Sequence, residues 1–418
     1  MTAQTDCRER SLQRPTQAVI LAGGRGTRLG PMTDVRPKPM IEIHGKPFLE
    51  YLIEMLRDQG FERILLLLGY LPEVVQNYFG DGKKWGIKIE YSVTDLENDT
   101  GRRVKLAAPQ IDDCFLLMYC DNYWPMQFNK MWERFVQADV PAMITVYSNK
   151  DGYTTDSVKV ENDRLISVYD KTRSRPDLKG VEISYVITKK SVLDLLPEDN
   201  VLFETTVYPP LSANRQLGAY VSDHRYYSIG SLSRLPLTEA FLARRPTVIL
   251  DRDGVLNKKP PRAEYVRTWA DFEWLPGAKD ALKLFHDAGY QVIVVSNQAG
   301  IARGAMTEAD LAAIHANMRE EAARAGGLID AIYYCPHGWD EDCACRKPKP
   351  GMLFQAQREH NLDLTRTPFI GDDVRDAEAA EAAGCISLLL SNDESLLDVA
   401  PKLIERDLGK SNSLASSR

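Results

Sequence analysis

The sequence has little that would direct the protein to nucleic acid, to a bilayer or to secretion. Its formal net charge is -7, and no block of Lys or Arg offers a general attraction to a polyphosphate backbone. Apolar runs such as residues 64–68 fall far short of the ~20 residues that span a bilayer. The first residues, MTAQTDCRERSLQRPTQ, lack the apolar centre of a signal peptide. We therefore expect a cytoplasmic protein without nucleic-acid or membrane partners.

Cysteine is sparse and unevenly placed. The chain has 7 cysteines, an odd number, and three of them crowd into residues 335–345. This crowding suits metal ligation in a reducing compartment better than a framework of disulfides. The histidines outside that segment are scattered without metal spacing, and we interpret them as surface or hydrogen-bonded structural residues.

The length and the hydrophobic pattern predict two α/β domains. At 418 residues, with 44% hydrophobic and 27% charged residues, the chain is folded but too long for one ordinary core. Strand-like and helical segments alternate, which predicts mostly parallel sheets flanked by helices. The strands are expected at 18–21, 63–67, 115–119, 142–147, 247–250, 291–295, 329–334 and 368–370, and the helices at 48–59, 72–78, 129–138, 277–288, 308–324 and 352–359. The domains are expected at 16–243 and 246–408, between disordered tails at 1–15 and 409–418.

Two carboxylates, Asp251 and Asp253, follow an apolar run and so stand at the carboxyl end of a predicted buried strand. That edge of an open α/β sheet is where ligands bind. A solvated turn or a calcium loop could share the pattern, but no glutamate follows at calcium-loop spacing. Three further polar groups end later segments: Ser296-Asn297-Gln298, Arg346-Lys347-Pro348 and Gly371-Asp372-Asp373. Together they offer a nucleophile, a proton donor and cations, the parts that phosphoryl transfer needs.

The motifs DRDGVLN, SNQAGIARG, CPHG, CACRKPKPGM and GDD resemble the haloacid dehalogenase superfamily. Within it, residues 246–392 are most similar to the D-glycero-D-manno-heptose 1,7-bisphosphate phosphatases. The resemblance implies a capless fold, in which Asp251 is phosphorylated and Asp253 is the acid and base. It further implies phosphate contacts from Ser296 and Lys347, substrate contacts from Asn297, Arg303 and Arg346, and Mg²⁺ on Asp251, the Asp253 backbone carbonyl and Asp372. Histidinol-phosphate phosphatase, which has a similar metal loop, remains an alternative.

The cysteine-rich segment reads Cys335-Pro336-His337 and, after a short polar insert, Cys343-Ala344-Cys345. Two such pairs predict tetrahedral Zn²⁺ in a structural role, because all four positions are filled by Cys335, His337, Cys343 and Cys345. The alternative is a set of reduced cysteines without metal. Arg346 and Lys347 follow the last ligand directly, so the metal would fix the approach of both cations.

A glycine-rich segment, LAGGRGTRL at residues 21–29, opens the first predicted domain. Glycines let backbone N–H groups approach phosphates, although such a loop alone is a weak signal. With PKPM at 37–40 and GKPFLEYL at 45–52, it resembles the sugar-1-phosphate nucleotidyltransferases, which have a Rossmann-like fold, and most closely the heptose-1-phosphate guanylyltransferase type. A dinucleotide-binding loop is disfavoured, because Leu67-Leu68-Gly69-Tyr70 stands where an acidic residue is needed.

This second resemblance implies an NTP, GTP by preference, with Mg²⁺ on Asp121 and a sugar phosphate on Lys171. The nucleotide would lie on Leu21, Ala22, Gly23, Gly24, Gly26, Thr27, Arg28 and Lys38. The whole chain would then be a bifunctional enzyme of nucleotide-activated heptose synthesis. The sequence leaves open whether it forms a homo-oligomer.

Three segments depart from the nucleotidyltransferase pattern. Residues 100–103 read TGRR where a second glycine is usual, Cys120 precedes Asp121 in place of glycine, and Ser228 replaces the aspartate of a late Asp-Ile-Gly. A serine cannot supply that metal-binding charge. The domain is therefore expected to be slow, to recruit Asp223 or Glu204, or to be a nucleotide-binding module.

Overall fold

The computed structural model describes residues 13–261, 264–391 and 393–415. The chain divides into two compact units, Met1–Glu239 and Ala240–Arg418. Both consist of parallel or mostly parallel sheets flanked by helices, which confirms the predicted fold class. Within the described ranges, every helix is too short or too polar to traverse a lipid bilayer.

The first unit holds thirteen strands and six helices among the described residues. The strands are β1 (Gln17–Ala22), β2 (Glu42–Ile43), β3 (Lys46–Pro47), β4 (Arg63–Leu68), β5 (Lys88–Val93), β6 (Cys114–Tyr119), β7 (Asn122–Tyr123), β8 (Ala142–Tyr147), β9 (Val158–Val160), β10 (Ile166–Tyr169), β11 (Val181–Lys189), β12 (Leu217–Ser222) and β13 (Tyr227–Ser228). The helices are α1 (Phe48–Asp58), α2 (Pro72–Phe79), α3 (Thr100–Ala107), α4 (Phe128–Ala138), α5 (Phe203–Ala213) and α6 (Leu235–Leu242), the last of which runs across the division.

The main sheet of this unit has the order β12-β8-β11-β6-β1-β4-β5. Strand β11 is antiparallel to β6 and β8, and the other neighbours are parallel. All six residues of β1 are buried, as expected for a central strand covered on both faces. Because β1, β4 and β6 are parallel, the loops that follow them meet at one edge of the sheet.

The second unit is a five-stranded parallel sheet of order β16-β15-β14-β17-β18. Its strands are β14 (Thr247–Leu250), β15 (Gln291–Asn297), β16 (Ala331–Cys335), β17 (Pro368–Gly371) and β18 (Ile386–Leu389). Its helices are α7 (Ala278–Asp287), α8 (Glu308–Arg324), α9 (Gly351–His360), α10 (Val374–Ala383) and α11 (Leu396–Ala415). Apolar side chains pack on both faces of the sheet. The central strand β14 therefore delivers Asp251 to the middle of the carboxyl edge.

The structure describes part of each predicted tail, 13–15 of the first and 409–415 of the second. Arg14, inside the predicted tail 1–15, donates to Asn129 Oδ1 at 3.1 Å, and its guanidinium lies 4.8 Å from the centre of the Phe128 ring. Helix α11 continues to Ala415, through most of the predicted tail 409–418. Residues 1–12 and 416–418 lie outside the described residues.

Candidate active sites

In the second unit, Asp251 follows β14 directly and its N–H donates to the Ile370 carbonyl at 2.9 Å. Gly254 has φ +97°, and a Cβ there would lie 2.3 Å from Asp372 Oδ2. The glycine is therefore required twice, by its backbone conformation and by the close approach of a carboxylate from the end of β17. The turn after β14 and the turn after β17 together form the floor of the site.

Lys347 is buried between two carboxylates. Its Nζ lies 2.8 Å from Asp251 Oδ1 and 2.7 Å from Asp376 Oδ1, and it also donates to the Val295 carbonyl at 3.1 Å. Burial alone would lower the pKa of Lys347, but the two carboxylates outweigh burial and raise it. The ammonium is thus a fixed positive charge beside the predicted nucleophile.

Asn297, a predicted substrate contact, lines the cavity above the carboxylates, and its amide contacts the Lys347 backbone. Its Nδ2 donates to the Lys347 carbonyl at 3.0 Å, and its Oδ1 accepts from the Lys347 N–H at 3.0 Å. Both polar groups of the side chain are used in this way, so the residue holds the lysine segment in register with β15. Ser296, predicted to bind phosphate, is buried and its Oγ accepts from Gln298 Nε2 at 2.7 Å.

The carboxylate of Asp253 is held by three side chains. Arg252 Nη2 donates to both of its oxygens, at 2.9 and 3.0 Å, and Asn257 and Gln298 each donate at 2.9 Å. Burial would raise the pKa of Asp253, but Arg252 and these hydrogen bonds together lower it. Sequence reasoning missed Arg252, which is only 1% exposed, because a charged residue between two aspartates gives no sign of its direction.

A group of three carboxylates, Asp251, Asp372 and Asp376, has oxygens within 4.8 Å of one another. Burial is the main cause that raises the pKa of Asp251 to about 7; Lys347 lowers it and the charges of Asp376 and Asp253 raise it. Asp372 Oδ1 is buried without a hydrogen-bond partner among the described residues, while its Oδ2 pairs with Lys259 at 2.7 Å. These three residues form a candidate metal site.

Asp376 was absent from the predicted site, which relied on the Asp253 carbonyl as the third ligand. The missed signal is a capping box at the start of α10, in which Asp373 is the N-cap and Asp376 is the third helical residue. Asp376 Oδ2 accepts from the N–H groups of Asp372 and Asp373, both at 3.2 Å. The cap therefore directs a second carboxylate of this segment towards Lys347.

The predicted ligands Cys335, His337, Cys343 and Cys345 come together as a second candidate metal site. Cys335 Sγ lies 3.7 Å from Cys343 Sγ, 3.4 Å from Cys345 Sγ and 3.5 Å from His337 Nδ1. His337 Nδ1 lies 3.2 Å from Cys345 Sγ. A metal about 2.3 Å from each sulfur at the centre of a tetrahedron requires edges of about 3.8 Å, close to these separations.

A cavity of about 1040 Å³ opens above the carboxylates. Its walls come from the segment after β14, the segment after β15, the metal-ligating loop and the start of α10, and they include Lys259, Trp339, Arg346 and Arg375. Arg346, a predicted substrate contact, lines the cavity and donates to the His337 carbonyl at 3.3 Å. Arg303 is also a predicted substrate contact, and its guanidinium lies 3.8 Å from the centre of the Trp339 ring. Such a cavity is large enough for a phosphorylated sugar.

In the first unit, the glycine loop and β6 enclose a cavity of about 260 Å³. Of the predicted nucleotide residues, Leu21, Gly23, Gly24, Gly26 and Lys38 line it, together with Asp121. Lys38 Nζ lies 2.6 Å from Asp121 Oδ2. The pKa of Lys38 is raised, because Asp121 outweighs the lowering effect of burial. Ala22, Thr27 and Arg28 are outside this lining, although Thr27 and Arg28 continue the loop as a short 3-10 helix, Thr27–Thr33.

The Ser-Ile-Gly segment does reach the glycine loop. A Cβ built on Gly230 would lie 3.7 Å from Asp121 Oδ2 and 4.0 Å from Arg28 Nη2. Ser228 is buried, and its Oγ accepts from the Gly230 N–H at 3.0 Å. Ser228, which stands where the family has an aspartate, therefore lies in the segment beside Asp121, and the site has one negative charge fewer.

The two carboxylates considered as replacements are both engaged elsewhere. Asp223 pairs with Lys150 at 2.8 Å, and Glu204 pairs with Lys171, the predicted sugar-phosphate residue. Glu204 also accepts from the Tyr119 hydroxyl at 2.5 Å. Within the described residues, every group of three or more closely spaced metal-ligating side chains lies in the second unit.

Comparisons with known proteins also separate the chain into two parts. A nucleotidyl transferase family model matches residues 17–163, and a HAD-hydrolase-like model matches residues 344–407. The D-glycero-beta-D-manno-heptose-1,7-bisphosphate 7-phosphatase of Pseudomonas aeruginosa is 41% identical over 164 residues, which cover 39% of this chain and 91% of that protein. The D-glycero-alpha-D-manno-heptose-1,7-bisphosphate 7-phosphatase of Mycobacterium bovis is 38% identical over 154 residues, 35% of this chain and 80% of that protein. The crystal structure of HddC from Yersinia pseudotuberculosis, 26% identical, covers 53% of this chain and 97% of that one with a TM-score of 0.47.

The fold and the two sites define a two-domain α/β enzyme, in which a nucleotidyltransferase domain is fused to a HAD-type phosphatase domain. Through its second unit the chain belongs to the D-glycero-D-manno-heptose-1,7-bisphosphate 7-phosphatase family.

Proposed function

We propose that the second unit removes the 7-phosphate of D-glycero-D-manno-heptose 1,7-bisphosphate through a phosphorylated Asp251. The observation that carries this proposal is the buried Lys347, held 2.8 Å from the Asp251 carboxylate while Asp253 stands two residues away on the same strand end. The named substrate of the relatives in P. aeruginosa and M. bovis supports the choice of sugar. The cavity of about 1040 Å³ leaves room for a second phosphate away from the reacting one.

The residues can carry out both halves of the reaction. An Asp251 oxygen attacks phosphorus and the bond from phosphorus to the sugar oxygen breaks. The sugar oxygen takes a proton from Asp253, whose pKa is lowered in the free site and is raised by the negative phosphate when substrate binds beside it. Water then attacks the aspartyl phosphate, Asp253 takes a proton from the water, and phosphate leaves with the Asp251 carboxylate regenerated. Lys347 neutralises the charge on the phosphoryl oxygens during both transfers. The three donors on Asp253 hold its carboxylate in place beside Asp251.

Magnesium fits the carboxylate group. Asp251, Asp372 and Asp376 supply hard oxygen ligands. The Oδ1 atom of Asp372 has no hydrogen-bond partner among the described residues, and a bound cation would satisfy it. We assign Mg²⁺ to Asp251 and Asp372, and the Asp253 carbonyl stays a predicted ligand. Bound there, Mg²⁺ would offset the negative charge that accumulates between the phosphate and two carboxylates.

Zinc fits the second metal site. Three sulfurs and one imidazole nitrogen at tetrahedral spacing are the ligand set of structural Zn²⁺. Bound there, Zn²⁺ would hold together the loop that carries Arg346 and Lys347. The metal-ligating thiolates also need a reducing compartment, which supports a cytoplasmic location.

The test of the phosphatase is regiochemical. Incubation of the enzyme with the bisphosphate and Mg²⁺ should release the 7-phosphate and leave the 1-phosphate resonance in phosphorus NMR, while Asp251→Asn releases neither. Release of the 1-phosphate alone would overturn the assignment. A parallel assay with histidinol phosphate separates the alternative substrate, which should be hydrolysed far more slowly.

We further propose that the first unit joins heptose 1-phosphate to an NTP, GTP by preference, and releases pyrophosphate. The supporting observation is the meeting of Lys38, Asp121, Arg28 and Gly230 around the glycine loop. The sugar 1-phosphate oxygen would attack the α-phosphorus, with Arg28 and Lys38 neutralising the triphosphate and Lys171 orienting the sugar phosphate. Asp121 would hold Mg²⁺. The phosphatase reaction must come first, because it leaves the anomeric phosphate that this transfer consumes.

One observation favours a second reading of the first unit. Ser228 stands uncharged beside Asp121, and Asp121 is already paired with Lys38, so this site has fewer free carboxylates than two-ligand metal chemistry requires. A module that binds nucleotide without turnover would fit these facts. Pyrophosphate release, measured with each of the four NTPs, heptose 1-phosphate and Mg²⁺, decides between the two; turnover with GTP supports the transferase, and binding without turnover supports the module.

A further inference from the structure

Two consecutive arginines at the start of α3 point in opposite directions. Arg102 is a surface residue whose Nη1 pairs with Glu198 at 2.7 Å. Arg103 is only 3% exposed, and it lines the cavity of the glycine loop. A buried guanidinium beside this cavity is unexpected, because arginine is almost never fully buried without a carboxylate partner.

Arg103 connects two segments that follow neighbouring strands. Its Nη1 donates to the Leu68 carbonyl, the last residue of β4, at 2.8 Å, and to the Thr94 hydroxyl. Its Nη2 donates to the carbonyls of Asp95 and Leu96, each at 3.0 Å. Leu96 is itself part of the cavity wall. One side chain therefore fixes the backbone that walls the cavity to the end of the strand beside β1.

The guanidinium also supports the glycine loop from below. A Cβ on Gly23 would lie 2.5 Å from Arg103 Cζ, and a Cβ on Gly69 would lie 2.4 Å from Arg103 Nη1. Both glycines therefore leave space that the Arg103 guanidinium occupies. Arg103 contacts the glycine loop and the opposite wall, so we expect the width of the cavity to depend on it.

The charge of Arg103 is not cancelled by a contacting carboxylate within the described part of the chain. Its hydrogen-bond partners are three carbonyls and one hydroxyl, and Asp99 and Asp95 act on it only through longer-range attraction. Burial lowers the pKa of Arg103, but a guanidinium stays protonated in proteins. A buried positive charge beside a glycine-rich loop favours a polyanionic ligand.

We propose that Arg103 is a positioning residue of the nucleotide site, which sets NTP affinity and base selectivity by fixing the 94–96 wall against the glycine loop. The proposal rests on the proposed binding of an NTP to this unit. Arg103 belongs to the TGRR segment, one of the three segments that depart from the nucleotidyltransferase pattern.

The test compares Arg103→Ala and Arg103→Lys with Arg102→Ala as the matched control. Calorimetry with each NTP, alone and with Mg²⁺, measures Kd, and pyrophosphate release measures KM and kcat where turnover occurs. We expect Arg103→Ala to weaken binding of the preferred NTP by roughly 10- to 100-fold and to reduce the difference between NTPs, because the wall is displaced. Lysine cannot hold the carbonyls of Asp95 and Leu96 in the geometry of a guanidinium, so the affinity of Arg103→Lys should lie between those of wild type and Arg103→Ala. We expect its KM to rise by a larger factor than its kcat falls. Arg102→Ala should stay within about twofold of wild type.

The outcomes are distinguishable. If wild type binds no NTP, the proposed function of the unit fails before Arg103 is tested. If wild type binds and either folded Arg103 variant keeps its affinity and selectivity, the positioning role is wrong. Far-ultraviolet circular dichroism and thermal unfolding of the full chain report folding, and should Arg103→Ala fail to fold, the Arg103→Lys result decides.

Discussion

Replacement of Lys347 by methionine removes the positive charge between Asp251 and Asp376 while nearly preserving side-chain volume. At 2.8 Å, the attraction between Lys347 Nζ and Asp251 Oδ1 is about 6 kcal/mol at an effective dielectric constant of about 20. Relaxation and water entry reduce the effect on ionisation to a fraction of that value. Asp251 has a pKa of about 7 even with the lysine in place, so its pKa should rise further in the variant.

The sign of the pH effect follows from the role of Asp251. The carboxylate must be ionised to attack phosphorus, so activity falls as the pH drops through its pKa. Loss of Lys347 should therefore move the acid limb of kcat/KM to higher pH, by less than the ion pair alone implies, because Mg²⁺ bound to Asp251 would also favour the carboxylate. Loss of the phosphate clamp adds a decrease that persists at high pH, so kcat/KM near neutral pH should fall roughly a thousandfold in total.

The assay is phosphate release from the bisphosphate at saturating Mg²⁺, from about pH 5.5 to about pH 9.5. Lys258→Met is the control, because Lys258 is 69% exposed and pairs with Glu273 at 3.2 Å on the surface. The control should keep the wild-type rate and acid limb. If Lys347→Met had the wild-type acid limb, or lost less than about tenfold near neutral pH, the electrostatic account of this site would be wrong.

Three further changes test other parts of the second unit. Cys343→Ser should remove the bound metal, as measured by inductively coupled plasma mass spectrometry, and lower Tm, whereas Cys114→Ser in the first unit should leave the metal content unchanged. Gly254→Ala should abolish phosphatase activity, because φ is +97° and the added Cβ meets a carboxylate oxygen at 2.3 Å; Gly289→Ala, at φ +76° with open space around it, should cost only about 1 kcal/mol of stability. Burial and the charge of a neighbouring arginine lower the pKa of His315 to about 3 from 6.5, so the unfolded chain binds a proton that the folded one does not. Stability should then fall by up to about 1.4 kcal/mol per pH unit below the unfolded pKa, and His315→Gln should flatten this slope in urea titrations.

Two residues support the buried lysine. Asn297, a predicted substrate contact that lines the cavity, holds the Lys347 backbone, and Asp376, which had no predicted role, pairs with its ammonium. A buried charge of this kind needs partners on several sides. Its neighbours are therefore recruited from β15 and α10, which are far apart in the chain.

The sequence alone was enough to predict two α/β domains, eight of the twelve strands in their two main sheets, and the side chains that end β14 and β17; β5, β11, β12 and β18 were not predicted. These features depend on local patterns: apolar runs, glycines in tight turns, and short motifs whose residues are close in the chain. The Cys and His spacing likewise anticipated the four-residue cluster, because the ligands come from one hairpin-like loop within eleven positions of each other.

Only the tertiary structure decided which polar side chains face the reaction and which support it. Asp376 reaches the site from the cap of α10, and the buried Arg252 guanidinium binds both oxygens of Asp253. Arg103 is buried, whereas Arg102 is partly exposed and pairs with Glu198. Each of these depends on where another segment of the chain comes to lie, and the sum of many weak packing and solvation energies fixes that position. The capping box of Asp373 and Asp376 is a local pattern, but it does not show that Asp376 will meet Lys347, because a charged residue has the same identity whether its partner is water or a distant group.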